Sequence, residues 1–175
     1  LIEQRALGNI LVRRGVVTAE GLEPLFIQQR EKGTSLPELL VQLRIASESD
    51  VARALAAECG LAFVDRIDVA AVSPQLATRL PIGYCKSHKV LVTAERDECV
   101  EVLSADPLDT AALDDVRAAF GKPVRAVVGT PEMVVDAINR VFEKQDTKSE
   151  LETDDEFSAN DEVDILESDE DAPII

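Results

Sequence analysis

The chain has 175 residues, 46% of them hydrophobic but only 3% aromatic, with no Trp, one Tyr and five Phe, so it can bury an aliphatic core in one ordinary domain or two small ones. Its formal charge of −16 is unevenly placed: Gln145 to Ile175 hold 13 acidic residues against Lys148 alone, leaving 21 acidic and 17 basic residues ahead of them. That balance gives no footprint for nucleic acid, and no apolar run approaches the roughly 18 residues of a membrane span, so the chain reads as cytoplasmic without direct membrane insertion.

Residues 1–60 are organised by a repeat. The stretch from Leu7 to Gln29 is read out again, 29 residues later, from Leu36 to Glu58. Leu7 matches Leu36, Ile10 matches Leu39, Leu11 matches Leu40, Val16 matches Ile45, Thr18 matches Ser47, Leu22 matches Val51 and Phe26 matches Leu55. Each copy places apolar residues at i, i+3 and i+4, then a bend, then a hydroxyl residue opening a second amphipathic run. Thr18 and Ser47 are expected N-caps, and Ser47 with Asp50 approximates a capping box. Four short helices in two hairpins, each too short to stand alone, bury a shared apolar face. Gly33 and Thr34 separate the hairpins, and Gly60 is a suitable stop for the fourth helix.

Residues 61–144 have a different texture. Leu61 to Val72 is short, β-branched and partly alternating, and Ser73-Pro74 is expected to open a helix through Arg79, with Pro81 interrupting. Residues 88–104 look like a β-hairpin that starts at His88. Asp106-Pro107 leads into a helix ending at Gly121, residues 123–128 make a third strand, and Thr130-Pro131 caps a last helix ending near Lys144. The fold class is therefore α+β: a four-helix module followed by a small α/β module. Residues 145–175, highly charged with few large apolar side chains, are expected to form a disordered linker.

Catalytic signatures are missing. There is no GxxxxGK[ST] phosphate loop, and Gly8, Gly15 and Gly21 are too widely spaced for a dinucleotide fingerprint. His88, the one histidine, has no nucleophile motif nearby. Asp114 and Asp115 adjoin on a helix and point to different faces. Cys59, Cys85 and Cys99 form no CxxC pair and read as buried thiols rather than metal ligands. No catalytic residue, metal site or cofactor is expected in this chain, which reads as a non-enzyme.

Leu7-Gly8, Leu11-Val12, Gly15, Leu22, Phe26 and Gln29 resemble the tandem motif at the amino terminus of the GspE/PilB group of secretion ATPases, known in its nucleotide-binding form as the MshEN domain. Residues 80–92, the hairpin, the stretch from Ala105 to Val124 and the closing helix are similar to the second subdomain of the same group. The acidic segment resembles the one leading GspE proteins into their ATPase core. This likeness implies a docking unit of a hexameric type II secretion ATPase. Its partner is expected to be the cytoplasmic domain of an inner-membrane, GspL-like protein, which would place the chain peripherally at that membrane. Arg13, Arg14 and Arg30 are candidate partner contacts, against their plainer reading as surface charge. The alternative implied by the family is a cyclic di-GMP sensor using Arg5, Leu7, Gly8, Gly15 and Gln29. Copy one keeps both glycines and the glutamine, but Ala6 stands where the family has arginine, with Arg5 displaced by one. Copy two places Ser35, Pro37, Arg44 and Glu58 at the arginine, glycine, glycine and glutamine positions; Pro37 lacks an amide donor and Glu58 opposes an anion.

Overall fold

The computed structural model describes residues 2–159, with side-chain surroundings for residues 5–147. Helices α1 (Ile2–Arg13) and α2 (Ala19–Lys32) form one hairpin, and α3 (Leu36–Gln42) and α4 (Glu48–Glu58) form the second. The caps of α2 and α4 are those the sequence calls for. Thr18 Oγ1 accepts from Gly21 N at 3.2 Å, and Ser47 with Asp50 completes a capping box. A second box, Ser35 with Glu38, opens α3. Gly33 ends α2 with φ 68°, donating its N–H to Gln29 O. The repeat's apolar positions meet in one core: Leu7, Ile10, Leu11, Leu22, Leu36, Leu39, Leu40, Val51 and Leu55 are all buried in it, with Phe26 packed alongside.

After a single 3-10 turn at Val69–Ala71 the second module adds α5 (Pro74–Ala77), α6 (Ile82–His88), β1 (Val90–Glu95), β2 (Val100–Ser104), α7 (Thr110–Phe120), β3 (Val124–Val128) and α8 (Pro131–Ala159). β1 and β2 are the expected antiparallel hairpin, while β2 and β3 run parallel with α7 as the crossover. The strands are valine-rich because the sheet is covered: Val90, Val100 and Val102 are fully buried beneath Val116 of α7 and Val134, Ile138 and Val141 of α8.

Several local expectations are corrected. Leu61 to Val72, β-branched in sequence, contributes to the sheet an isolated parallel bridge, Phe63 to Val128, with Val64 N donating to Val128 O at 2.8 Å, and then turns through Val69–Ala71. The Ser73-Pro74 helix ends at Ala77 rather than Arg79, and Ser73 makes no capping bond to the backbone. Pro81 is the N-cap of α6, so His88 is the last residue of a helix and not the start of a strand. Lys89, left-handed at φ 50°, then turns the chain into β1. The final helix does not stop near Lys144. It continues to Ala159, through the first half of the acidic segment, because extending a nucleated helix adds one hydrogen bond per residue and Glu, Lys and Gln are good helix formers. Residues 160–175 of the expected linker lie outside the described residues. Cys59, expected to be buried, is exposed at the C-cap of α4, whereas Cys85 is buried and Cys99 is half-buried.

The modules touch along α4. Ala52 and Ala56 pack with Val128 of β3 and with Leu61 and Phe63. Leu108, beyond β2, packs against the helical core. The Arg53 guanidinium lies 4.6 Å from the Phe63 ring centroid, a cation–π contact across the same seam.

Candidate functional site

The repeat is preserved at the level of single hydrogen bonds. In copy one, Gly15 N donates to Val12 O at 3.0 Å, Val16 N to Leu11 O at 2.9 Å and Val17 N to Leu11 O at 3.4 Å. In copy two, Arg44 N donates to Val41 O at 3.0 Å, Ile45 N to Leu40 O at 2.9 Å and Ala46 N to Leu40 O at 3.4 Å. The central residue is left-handed in both, at φ 72° for Gly15 and 55° for Arg44. The loss of glycine from copy two has changed the side chain and left the turn intact.

The residues singled out by the family resemblance fall in several places. Arg5 is exposed on α1, and Leu7 is buried at 6% exposure in the helical core. Gly8 faces α2: a Cβ there would come within 2.9 Å of Phe26 Cζ and 3.2 Å of Leu22 Cδ1, so this glycine sets how closely α1 and α2 cross. Gly15 has no neighbour within 4 Å of a built Cβ, so its role is the turn. Gln29 is half-buried in the last full turn of α2, where its carbonyl accepts the Gly33 amide.

Arg13 and Arg14, read as partner contacts, converge on Glu58 of α4. Arg13 Nη1 donates to Glu58 Oε1 at 2.5 Å, and Arg14 Nη2 approaches Oε2 at 3.4 Å. Arg30 is exposed on α2, away from that cluster's ion pairs. Glu58 occupies the position that Gln29 holds in copy one. The carboxylate that departs from the motif is thus neutralised by two arginines of the first copy. Both acidic character and position were visible in the sequence; the pairing across 45 residues was not.

Among the described residues, hollows of two kinds border this module. One, of 420 Å³, lies between the two turns, with Arg14, Gly15, Ile45, Asp50 and Arg53 among its lining residues. Hydrogen bonds from Ser47 hold Asp50 there below the usual carboxylate range. The other, of 480 Å³, opens between the modules and takes Leu7 and Pro37 into its walls. Arg5 and Gln29 line neither hollow.

The second module is tied together by polar contacts of a structural kind. His88 Nδ1 lies 2.7 Å from Asp109 Oδ2, while Asp109 Oδ1 caps α7 by accepting from Ala112 N at 3.0 Å. Tyr84 donates to Asp115 at 2.7 Å, and burial with that carboxylate beside it pushes the phenol above its usual range. Asp114 instead pairs with Arg117, so the two adjacent aspartates do face different ways. Among the described residues no group of three or more His, Cys, Asp or Glu side chains could hold a metal ion, and no helix is long and apolar enough to cross a membrane.

Comparison with known proteins places these features. Residues 59–148 match the MshEN domain family, a span that falls on the α/β module rather than on the glycine-bearing repeat. The chain is 32% identical over 117 residues to type II secretion system protein E of Xanthomonas campestris, covering 65% of this chain and 21% of that protein. It is 31% identical over 145 residues to the type IV pilus assembly ATPase PilB of Thermus thermophilus, covering 81% of this chain and 16% of that one. The chain thus spans about a fifth of the length of these relatives. The amino-terminal domain of XpsE has a similar structure, with a TM-score of 0.57 at 28% identity over 77% of this chain and 92% of that one. The structure of MshE with cdg shares the fold, with a TM-score of 0.64 at 24% identity over 77% of this chain and 97% of that one. The repeat, the hairpin with its parallel third strand and these likenesses converge: the chain belongs to the MshEN-domain family and corresponds to the amino-terminal domain of type II secretion protein E and PilB-type ATPases, not to their ATPase core.

Proposed function

We propose that this chain is the docking and regulatory unit of a type II secretion ATPase, joining a hexameric ATPase core to the cytoplasmic domain of a GspL-like inner-membrane protein. In this reading the chain sits at the inner face of the membrane through its partner and needs no cofactor of its own. The observation that carries it is the state of copy two. That copy keeps the helical scaffold to the hydrogen bond, yet presents Pro37, Arg44 and an Arg-paired Glu58 where the family motif has ligand-binding residues. A scaffold retained without its anion chemistry supports a protein-binding role. The test is calorimetry of the 175-residue chain with the cytoplasmic domain of the GspL-like protein from the same cell. Micromolar or tighter binding is expected, and its absence with both proteins folded ends the docking reading.

A second reading, a cyclic di-GMP sensor, is favoured by the fold shared with MshE with cdg and by Gly8, Gly15 and Gln29 of copy one. Arg5 and Leu7 complete that candidate set. Titration of cyclic di-GMP separates the two: saturable micromolar heat, lost in Gln29→Ala, establishes the sensor, and no heat from the folded chain removes it.

A further inference from the structure

The 480 Å³ groove between the modules combines apolar walls with an acidic rim. Leu7, Val41, Val51 and Leu55 line it from the helical side, and Leu108 and Val135 from the other. Around them stand the carboxylates of Glu38, Glu48, Asp106 and Glu132 against one cation, Lys89. Among the described residues, Glu38, Glu48 and Glu132 make no salt bridge. Glu38 Oε2 accepts from Ser35 N at 3.2 Å and Glu48 Oε2 from Glu132 N at 3.4 Å, contacts that supply the partial positive charge of a helix N-terminus but no cation.

This field decides what can enter. An anionic nucleotide is repelled, and so is the chain's own segment after Gln145, with its 13 acidic residues. A second copy of this chain, at −16, meets the same repulsion. A neutral apolar group would satisfy the walls and leave the rim charges unused. A helix that lays large apolar side chains at i, i+3 or i+4 into the groove, with Lys or Arg on its flanks, satisfies both at once.

We infer that this groove binds a basic amphipathic helix of a partner protein, which rests on the docking reading above and names the chemistry of the segment that docks. The probe is a fluorescein-labelled 14-residue peptide of Leu and Lys patterned as an amphipathic helix, titrated with the 175-residue chain and followed by anisotropy. Two control peptides carry Glu in place of Lys, or Ser in place of Leu. Saturable micromolar binding is expected for the Leu/Lys peptide alone. Val135→Trp fills the groove without altering charge, and Glu48→Gln with Glu132→Lys neutralises the rim; each is expected to weaken binding at least tenfold with the fold intact by circular dichroism. Val41→Phe serves as the filling variant should Val135→Trp unfold. Equal binding of the Ser/Lys peptide, or full binding by both variants, overturns the proposal and assigns the attraction to the acidic segment. The same variants are then titrated against the GspL-like cytoplasmic domain. If that domain binds wild type and Val135→Trp alike, docking stands and the groove is not its seat, which also overturns the proposal. If it binds neither while the Leu/Lys peptide behaves as expected, the docking reading fails and the groove's specificity stands.

Discussion

Gly15 and Arg44 hold the same left-handed backbone, at φ 72° and 55°, in turns 29 residues apart that make matching hydrogen bonds. Only one of them is suited to it. A non-glycine residue in this region costs roughly 1–2 kcal/mol, partly offset by the larger unfolded-state entropy of glycine, about 0.5–1 kcal/mol. Arg44→Gly is therefore expected to stabilise the chain by about 0.5 kcal/mol. Gly15→Val, β-branched in the same conformation, is expected to cost about 2 kcal/mol. Urea unfolding with an unchanged denaturant slope measures both, and a destabilised Arg44→Gly would show that the Arg44 side chain contributes more than its backbone strain removes.

Gly8 works by a different mechanism and so predicts a different pattern. Alanine there meets Phe26 Cζ at 2.9 Å, but that atom is the tip of a half-buried side chain that can swing by a few tenths of an ångström. The strain is opposed by the gain in helix propensity of about 1 kcal/mol on replacing glycine by alanine. Gly8→Ala should therefore change stability by less than about 1 kcal/mol. Gly8→Ile has no such escape, because its branches reach Leu22 as well, and a loss of about 2–3 kcal/mol is expected in thermal or urea unfolding.

The contrast between these glycines shows where sequence was sufficient. The 29-residue period placed four helices, the caps of α2 and α4 and the shared core, since each of those depends on residues three or four apart, whereas the Ser35–Glu38 box of α3 went unread. The hairpin and the third strand were legible from alternation and turn residues, but the parallel pairing of β3 with β2 was not. Helix α6 was not, because Pro81 reads equally well as a break or as a cap, and IGYCKSH carries no apolar period to decide between them. The end of α8 was missed for a similar reason: acidity marks solvation, not conformation, and the helix continues past Phe142, where the regular apolar face ends. For the candidate site, the substitutions in copy two were plain to read, while their consequence was not. Glu58 looks like a charge set against a ligand until the fold brings Arg13 and Arg14 to it, and the inter-module groove has no local signature at all.

The acid limb of stability should carry the signature of the α4 cap. Ser47 donates its hydroxyl to Asp50 Oδ2 at 2.7 Å and its amide to the same oxygen at 3.2 Å, which holds the folded-state pKa below the usual value of 3.8. A depressed carboxylate stabilises above its unfolded pKa, and that stabilisation disappears as pH falls through the folded value. Glu95 contributes in the same direction through its bond to Lys122. Stability is therefore expected to fall below about pH 4. Asp50→Asn should flatten that limb while leaving the slope above pH 5 unchanged. Ser47→Ala should cost about 1 kcal/mol at pH 7 and lower the sensitivity to acid together with it. An Asp50→Asn variant with the wild-type acid profile would show that the cap carboxylate is not depressed.

Glu58 offers the sharpest separation of scaffold from sensor. The Arg13 side chain is 64% exposed and that of Glu58 22%, so water screens their attraction and a coupling of about 0.2–1 kcal/mol is expected from a double-mutant cycle of Glu58→Gln with Arg13→Ala. That coupling should shrink at high salt, and Glu58→Gln alone should leave the fold intact. The variant restores the glutamine of copy one, removes a negative charge and frees two arginines for an anion. If charge alone had silenced the second motif, Glu58→Gln would bind cyclic di-GMP that wild type does not. Pro37 still lacks its amide donor, however, and Arg44 still carries its side chain where a glycine would let the backbone approach. The expected result is accordingly a calorimetric titration without heat for wild type and Glu58→Gln alike. Saturable binding gained by this one substitution would mean that the arginine clamp on Glu58 is the lock on an otherwise competent site.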